Sequence, residues 1–236
     1  MSVIALIPAA GAGQRMGSTI NKQYLCLNGQ PVLTHTIALF DTHPSVDHIY
    51  VIAPPEQIAL CRQQCIEPYN FTKVRDIIGG GCQRQDSVRN GIANCGAEDG
   101  DIIIIHDGVR PLFAVQQLDA LIAQARMSGA CVVGVPVKDT IKQVHNGQIS
   151  ATPARETLWA AHTPQVFRYE LIYPTHLRAQ QHDYHGTDDA SLLEWQGIKV
   201  SMLEGSYRNI KITTPEDMLI AAAFISADSN NNTSQV

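Results

Sequence analysis

Val3-Ile4-Ala5-Leu6-Ile7-Pro8-Ala9-Ala10-Gly11-Ala12-Gly13-Gln14-Arg15-Met16-Gly17 decides the fold. An unbroken apolar run of strand length implies a strand covered on both faces. Small residues follow it at once, where a strand hands over to a helix. Outward from this stretch the pattern repeats. Residues 48–53 (HIYVIA), 74–78, 102–106 (IIIIH) and 131–136 read as strands. Residues 31–43, 55–65, 85–95 and 115–128 carry helical spacing between them. Such alternation predicts a doubly wound α/β fold, with a mostly parallel sheet and right-handed crossovers.

Residues 137–152 (VKDTIKQVHNGQISAT) break the rhythm. Alternating runs around Asn146-Gly147 predict a β-hairpin, too polar for a sheet centre and so read as an arm projecting from the core. It either lies flat on its own subunit or reaches a second one. Beyond it, 168–181 reads as a helix that Pro174 starts or kinks, and 188–196 as a short helix. Residues 198–203 and 209–212 read as strands. Residues 215–226 form a closing helix with Thr214 as N-cap and Pro215 at the first position. The expected organisation is one domain over 1–227 with a polar, disordered tail at 228–236.

The chain has 236 residues, 17 Lys+Arg against 22 Asp+Glu, and a net charge of −5, with 44% apolar and 17% charged residues. This composition excludes a disordered, collagen-like or coiled-coil chain. The acidity argues against nucleic acid as a partner. No apolar run approaches the ~18 residues of a membrane span, and the N-terminus lacks a signal-peptide pattern. Cys26, Cys61, Cys65, Cys82, Cys95 and Cys131 show no zinc-site spacing and read as reduced packing residues, which points to the cytoplasm. His176, His182 and His185 lie close in sequence and read as surface positions.

Four constellations carry chemistry. In the first, backbone N–H groups around Ala9, Ala10, Gly11, Ala12 and Gly13 suit a phosphate. There is no Lys-Ser/Thr pair as in a P-loop, and Met16 occupies the third glycine position of a dinucleotide site. Arg15 and Lys22 follow instead, and residues 1–40 hold these two cations and no carboxylate. The stretch reads as a triphosphate loop; the plainer reading is a strand-to-helix turn. In the second, Gly79-Gly80-Gly81-Cys82-Gln83-Arg84-Gln85-Asp86-Ser87 either reads a base edge through Gly81 and Ser87 or caps a helix through Asp86 or Ser87. In the third, His106-Asp107-Gly108-Val109-Arg110-Pro111 ends a central strand, where ligands of open parallel sheets bind. Asp107 there suits a metal or a ribose hydroxyl, or forms a structural pair with Arg110. The fourth is a set of polar turns: Lys138-Asp139-Thr140, Arg155, Thr163-Pro164-Gln165, Thr187-Asp188-Asp189-Ala190-Ser191 and Asn209-Ile210-Lys211-Ile212-Thr213. Together they suit a phosphorylated polyol.

These motifs, PAAGAGQRMG…KQYL, GGGCQRQDSV, HDGVRP, VKDT, HTPQVF, TDDAS and NIKITTPED, occur in the order and spacing of the 2-C-methyl-D-erythritol 4-phosphate cytidylyltransferases. The resemblance covers residues 3 to 225. Ribitol-5-phosphate cytidylyltransferases share part of the set but begin Leu-Ala-Gly-Gly, and differ at the later acidic motif. Gly108-Val109 and Asp189 depart from the commoner residues at those places. The resemblance implies a Rossmann-like nucleotidyltransferase fold and CMP transfer from CTP to methylerythritol phosphate, with release of pyrophosphate and a need for Mg²⁺. It implies Arg15, Lys22 and Lys211 as stabilisers of the reacting phosphates, and residues 9–13, Gly81, Ser87 and Asp107 around the nucleotide. Asp107 would touch an ion held mainly by CTP. Arg110, Thr140, Arg155 and Thr187 would hold methylerythritol phosphate, with Thr140 and Arg155 supplied across a homodimer by the arm. No membrane and no nucleic acid is implied. The competing readings are a cytidylyltransferase for ribitol phosphate or another sugar phosphate, and a non-catalytic nucleotide-binding regulator. A redox dinucleotide enzyme is disfavoured by the missing third glycine.

Overall fold

The computed structural model describes residues 1–11 and 21–233. In chain order these form β1 (Val3–Pro8), β2 (Cys26–Leu27), β3 (Gln30–Pro31), α1 (Val32–Asp41), β4 (His48–Ala53), α2 (Ile58–Cys61), β5 (Val74–Gly79), α3 (Arg84–Asn94), β6 (Ile102–Ile105), α4 (Leu118–Ser128), β7 (Ala130–Pro136), β8 (Gln143–His145), β9 (Gln148–Ala151), β10 (Trp159–Arg168), α5 (Tyr169–Gln181), α6 (Asp189–Trp195), β11 (Ser201–Glu204) and α7 (Pro215–Thr233). The central sheet has seven strands in the order β11-β7-β10-β6-β1-β4-β5. β10 runs antiparallel to both its neighbours, and every other pair in the sheet is parallel.

The apolar runs of β1 and β6 fill two cores at once because strand side chains alternate between faces. Val3, Ala5, Ile7, Ile102 and Ile104 pack on one face with Leu33, Ile37 and Phe40 of α1 and Leu121 and Ile122 of α4. Ile4, Leu6, Ile103 and Ile105 pack on the other with Val88 and Ile92 of α3, Ile172 of α5 and Leu193 of α6. A smaller cluster of Leu27, Val32, Val109, Ile212 and Ala221 seats α7.

Several expectations are corrected. β10, an antiparallel strand in the sheet interior, was not read from the sequence. Its register shifts between Ala161 and Gln165, so its apolar alternation is broken. Residues 209–212 form no strand. Ile212 N donates to Val109 O at 2.9 Å and Asn209 N to Ser206 O at 3.0 Å, so turn contacts replace a ladder. Pro174 does not start a helix but lies inside α5. α7 passes through Asp228, where the tail was expected to begin, because no Gly or Pro interrupts it and each added residue closes one more bond. The arm is present as β8 and β9, turned through Asn146 (φ 49°) and Gly147 (φ 76°). Asn28 and Gly29 make a similar turn (φ 48° and 85°) between β2 and β3. No described helix is long and apolar enough to cross a membrane.

Candidate active site

The carboxyl ends of β1, β4, β5 and β6 meet at one edge, where the chain turns away from the sheet. Ala9 N donates to Ile52 O at 2.7 Å, Gly80 N to Ala53 O at 2.8 Å and Gly108 N to Pro8 O at 3.0 Å. Three turns are thereby stitched together around a cleft of about 290 Å³. Ala9, Ala10, Gly11, Lys22, Gly81, Arg84, Ser87, Asp107 and Lys211 all line it. Ala12, Gly13 and Arg15 lie outside the described residues.

Two glycines are required here by space. A Cβ on Gly80 would sit 2.7 Å from Ala10 Cβ and 2.9 Å from Ser87 Oγ, and one on Gly81 would sit 2.4 Å from Asp86 Cβ. The second glycine stretch therefore presses directly on the first. The capping reading of the opening of α3 holds. Asp86 Oδ2 accepts from Gln83 N at 3.1 Å and completes a capping box. Ser87 Oγ donates to Gln83 O and accepts from Gly81 N, each at 3.0 Å. The Ser87 hydroxyl thus shapes the loop as well as lining the cleft.

Asp107 is the electrostatic hub. Its Oδ1 receives Arg84 Nε at 3.0 Å, and its Oδ2 receives Lys211 Nζ at 2.9 Å and Arg110 Nε at 3.4 Å. Its backbone N–H donates to Thr163 Oγ1 at 3.0 Å. Burial opposes ionisation of Asp107, but Arg84, Lys211 and Arg110 outweigh it and hold the carboxyl well below the usual range. Arg110, itself buried, also donates to Asn209 O at 2.7 Å. The Asp107–Arg110 pair is therefore a real structural contact, and Arg110 also lines a neighbouring cleft.

A second cleft of about 130 Å³ adjoins the first; Arg84, Asp107, Arg110, Thr163, Thr187 and Lys211 are among the residues that line it. The structure thus brings Lys22, Lys211, Asp107, Arg110 and Thr187 to two adjoining clefts. It places Thr140 and Arg155 elsewhere: both lie at the exposed arm and line neither cleft.

The sequence reading placed most of the residues behind this hub in its motifs but did not pair them with one another. Arg84 NH1 reaches Asp189 Oδ2 at 2.8 Å, and His176 Nε2 lies 3.2 Å from Asp189 Oδ1. His176 is fully buried, which corrects its reading as a surface position. Gln165 Nε2 donates to Asp188 Oδ2 at 2.6 Å, and its Oε1 accepts from Ala190 N at 3.0 Å. Asn209 Nδ2 donates to Thr163 O at 2.8 Å.

A mostly parallel sheet with glycine-lined turns at its carboxyl edge and clustered cations over one carboxylate defines an α/β enzyme of the nucleotidyltransferase type. The profile of the family described as 2-C-methyl-D-erythritol 4-phosphate cytidylyltransferase matches residues 3–227. The protein of that name from Syntrophotalea carbinolica is 58% identical over 225 residues, covering 95% of this chain and 97% of its own. That from Geotalea uraniireducens is 51% identical, covering 95% and 97%. The crystal structure of 4-diphosphocytidyl-2C-methyl-D-erythritol synthase from Anaerococcus prevotii superposes with a TM-score of 0.82 at 28% identity, covering 95% of this chain and 96% of the other. The chain belongs to the 2-C-methyl-D-erythritol 4-phosphate cytidylyltransferase family.

Proposed function

We propose that this protein transfers CMP from CTP to 2-C-methyl-D-erythritol 4-phosphate, releasing pyrophosphate. The observation that carries the reading is the convergence of Lys22 and Lys211 with residues 9–11 and Gly81 on one cleft, adjoined by a second that Arg110 and Thr187 line. In the reaction a phosphate oxygen of the polyol attacks the α-phosphorus of CTP. One P–O bond forms, and the bond to the β-phosphate oxygen breaks with its electron pair leaving on pyrophosphate. The attacking phosphate is already an anion, so no general base is needed. The barrier is anion–anion repulsion and charge on the leaving group, which positioned cations lower.

We assign Arg15, Lys22 and Lys211 to the reacting phosphates, and residues 9–13, Gly81 and Ser87 to the nucleotide. Arg110 and Thr187 hold the polyol phosphate. The arm carries Ile141, Val144 and Ile149 exposed, which supports its packing on a second subunit. Thr140 and Arg155 then complete the neighbour's site in a homodimer. Asp107 is the one carboxylate lining the nucleotide cleft among the described residues, and no cluster of three or more His, Cys, Asp or Glu gathers among them as a metal cage. That donor set fits Mg²⁺, which is commonly held by one or two carboxylates and substrate phosphates. Bound there, the ion would neutralise triphosphate charge. We place the reaction in the cytoplasm, in keeping with six unpaired thiols.

Pyrophosphate release with CTP and a panel of polyol phosphates tests the reading. Methylerythritol phosphate should be used in preference to ribitol 5-phosphate by at least about 100-fold in kcat/KM, as a site built on specific polar contacts allows. Equal use of both would overturn it.

A further inference from the structure

Gln23 is buried, and its side-chain Nε2 donates to the backbone carbonyl of Ala9 at 2.7 Å. Ala9 opens the glycine stretch at the end of β1, and Lys22 precedes Gln23 in the chain. Both Ala9 and Lys22 line the nucleotide cleft. This single bond therefore joins the two flanks of the segment between residues 11 and 21, one flank supplying backbone groups and the other a cation.

The turn that carries Lys22 has little stability of its own. Lys22–Tyr24 is a single 3₁₀ turn without a side-chain cap. Its backbone bonds are Tyr24 N to Asn21 O at 2.9 Å and Leu25 N to Lys22 O at 3.2 Å, and 3₁₀ bonds have poorer geometry than α-helical ones. Side chains hold it in place. Asn21 Nδ2 donates to Gln57 Oε1 at 2.8 Å, and the Tyr24 ring is buried in the core beside α1. Both of these tie the turn to the body of the fold. Gln23 alone among the three ties it to the nucleotide loop. The bond also demands a neutral donor: a carboxylate of the same length would set acceptor against acceptor in a buried place.

We infer that Gln23 is a positioning residue for the transfer reaction, its amide fixing Lys22 in register with the Ala9–Gly11 backbone that cradles the nucleotide. The inference rests on the assignment of Lys22 to the reacting phosphates. Displacing a stabilising group by about 1 Å is enough to cost 10²-fold in rate.

The test is a double-mutant cycle between Gln23→Met, which keeps length and apolar bulk but removes the donor, and Lys22→Ala. Steady-state kinetics and thermal melting are read for each protein. Gln23→Met alone should lower kcat at least about 10-fold, leave the KM for CTP within about threefold and melt within a few degrees of the parent. In the Lys22→Ala background it should cost less than about twofold more, because Gln23 acts through Lys22. If Gln23→Met fails to fold, Gln23→Asn, an amide one methylene short, carries the same test. Near-parental kcat for Gln23→Met beside an impaired Lys22→Ala overturns the inference, as does an equal cost in both backgrounds. Near-parental kcat for Lys22→Ala itself instead overturns the assignment of Lys22, and the inference with it.

Discussion

Lys211 Nζ lies 2.9 Å from Asp107 Oδ2, and Arg84 holds the other oxygen of the same carboxylate at 3.0 Å. Three cations, counting Arg110, thus share one buried anion that lines the cleft. An incoming polyanion meets a cluster with surplus positive charge, although the chain carries a net −5. Local field rather than net charge governs such an encounter.

Removing Asp107 tests the hub. Asp107→Ala leaves Arg110 buried without its ionic partner and should destabilise the protein by about 3 kcal/mol, the scale of breaking a buried pair. Urea unfolding at neutral pH measures this, and a loss below about 1 kcal/mol would show that solvent, not Asp107, compensates Arg110.

Lys22→Ala should lower kcat by roughly 10²-fold or more if Lys22 stabilises charge in the transition state. Stopped-flow pyrophosphate release under saturating CTP gives kcat directly; turnover within twofold of the parent would remove Lys22 from the chemistry.

Stability should fall as pH drops from neutrality. Burial pushes His106 down to about 4 from 6.5, and burial with the Arg110 charge does the same to His162. The unfolded chain then binds protons that the folded one refuses, so stability is complete above about pH 6.5 and is lost progressively toward pH 4. His106 alone should account for about 2 kcal/mol between pH 7 and pH 5. His106→Gln should flatten that slope in urea titrations at the two pH values, and an unchanged slope would rule His106 out as its source.

Two inactive proteins should rescue each other. Lys22→Ala lacks one cation of the cleft, and Arg155→Ala lacks one at the base of the arm. Mixed dimers contain one site with neither defect if the arm crosses. Subunit exchange should therefore restore up to about a quarter of parental activity, one intact site in half of the dimers. No recovery after proven exchange would confine the arm to its own subunit.

The alternation of apolar strands and periodic helices was legible because β1 and β6 are covered on both faces, leaving no polar position to blur them. β10 was hidden because its outer end is exposed and its register shifts before Gln165. The hairpin at Asn146-Gly147 was read while that at Asn28-Gly29 was not, since β2 and β3 are two residues each and show no alternation. Within the site, the cations at Lys22, Arg110 and Lys211 stood out as charges among uncharged neighbours. Arg84 was seen as part of its motif but not as the partner of Asp189, which is 105 positions away and linked to it by no spacing rule. Gln23 was missed because its partner is a backbone carbonyl, which every residue carries.

The most direct measurement is ³¹P NMR of this protein with CTP, Mg²⁺ and 2-C-methyl-D-erythritol 4-phosphate. The account predicts that the monoester resonance of the polyol disappears as two coupled diester-type resonances of a new diphosphate grow, with one equivalent of pyrophosphate. An unchanged monoester, with CTP intact or merely hydrolysed to CMP, would contradict it.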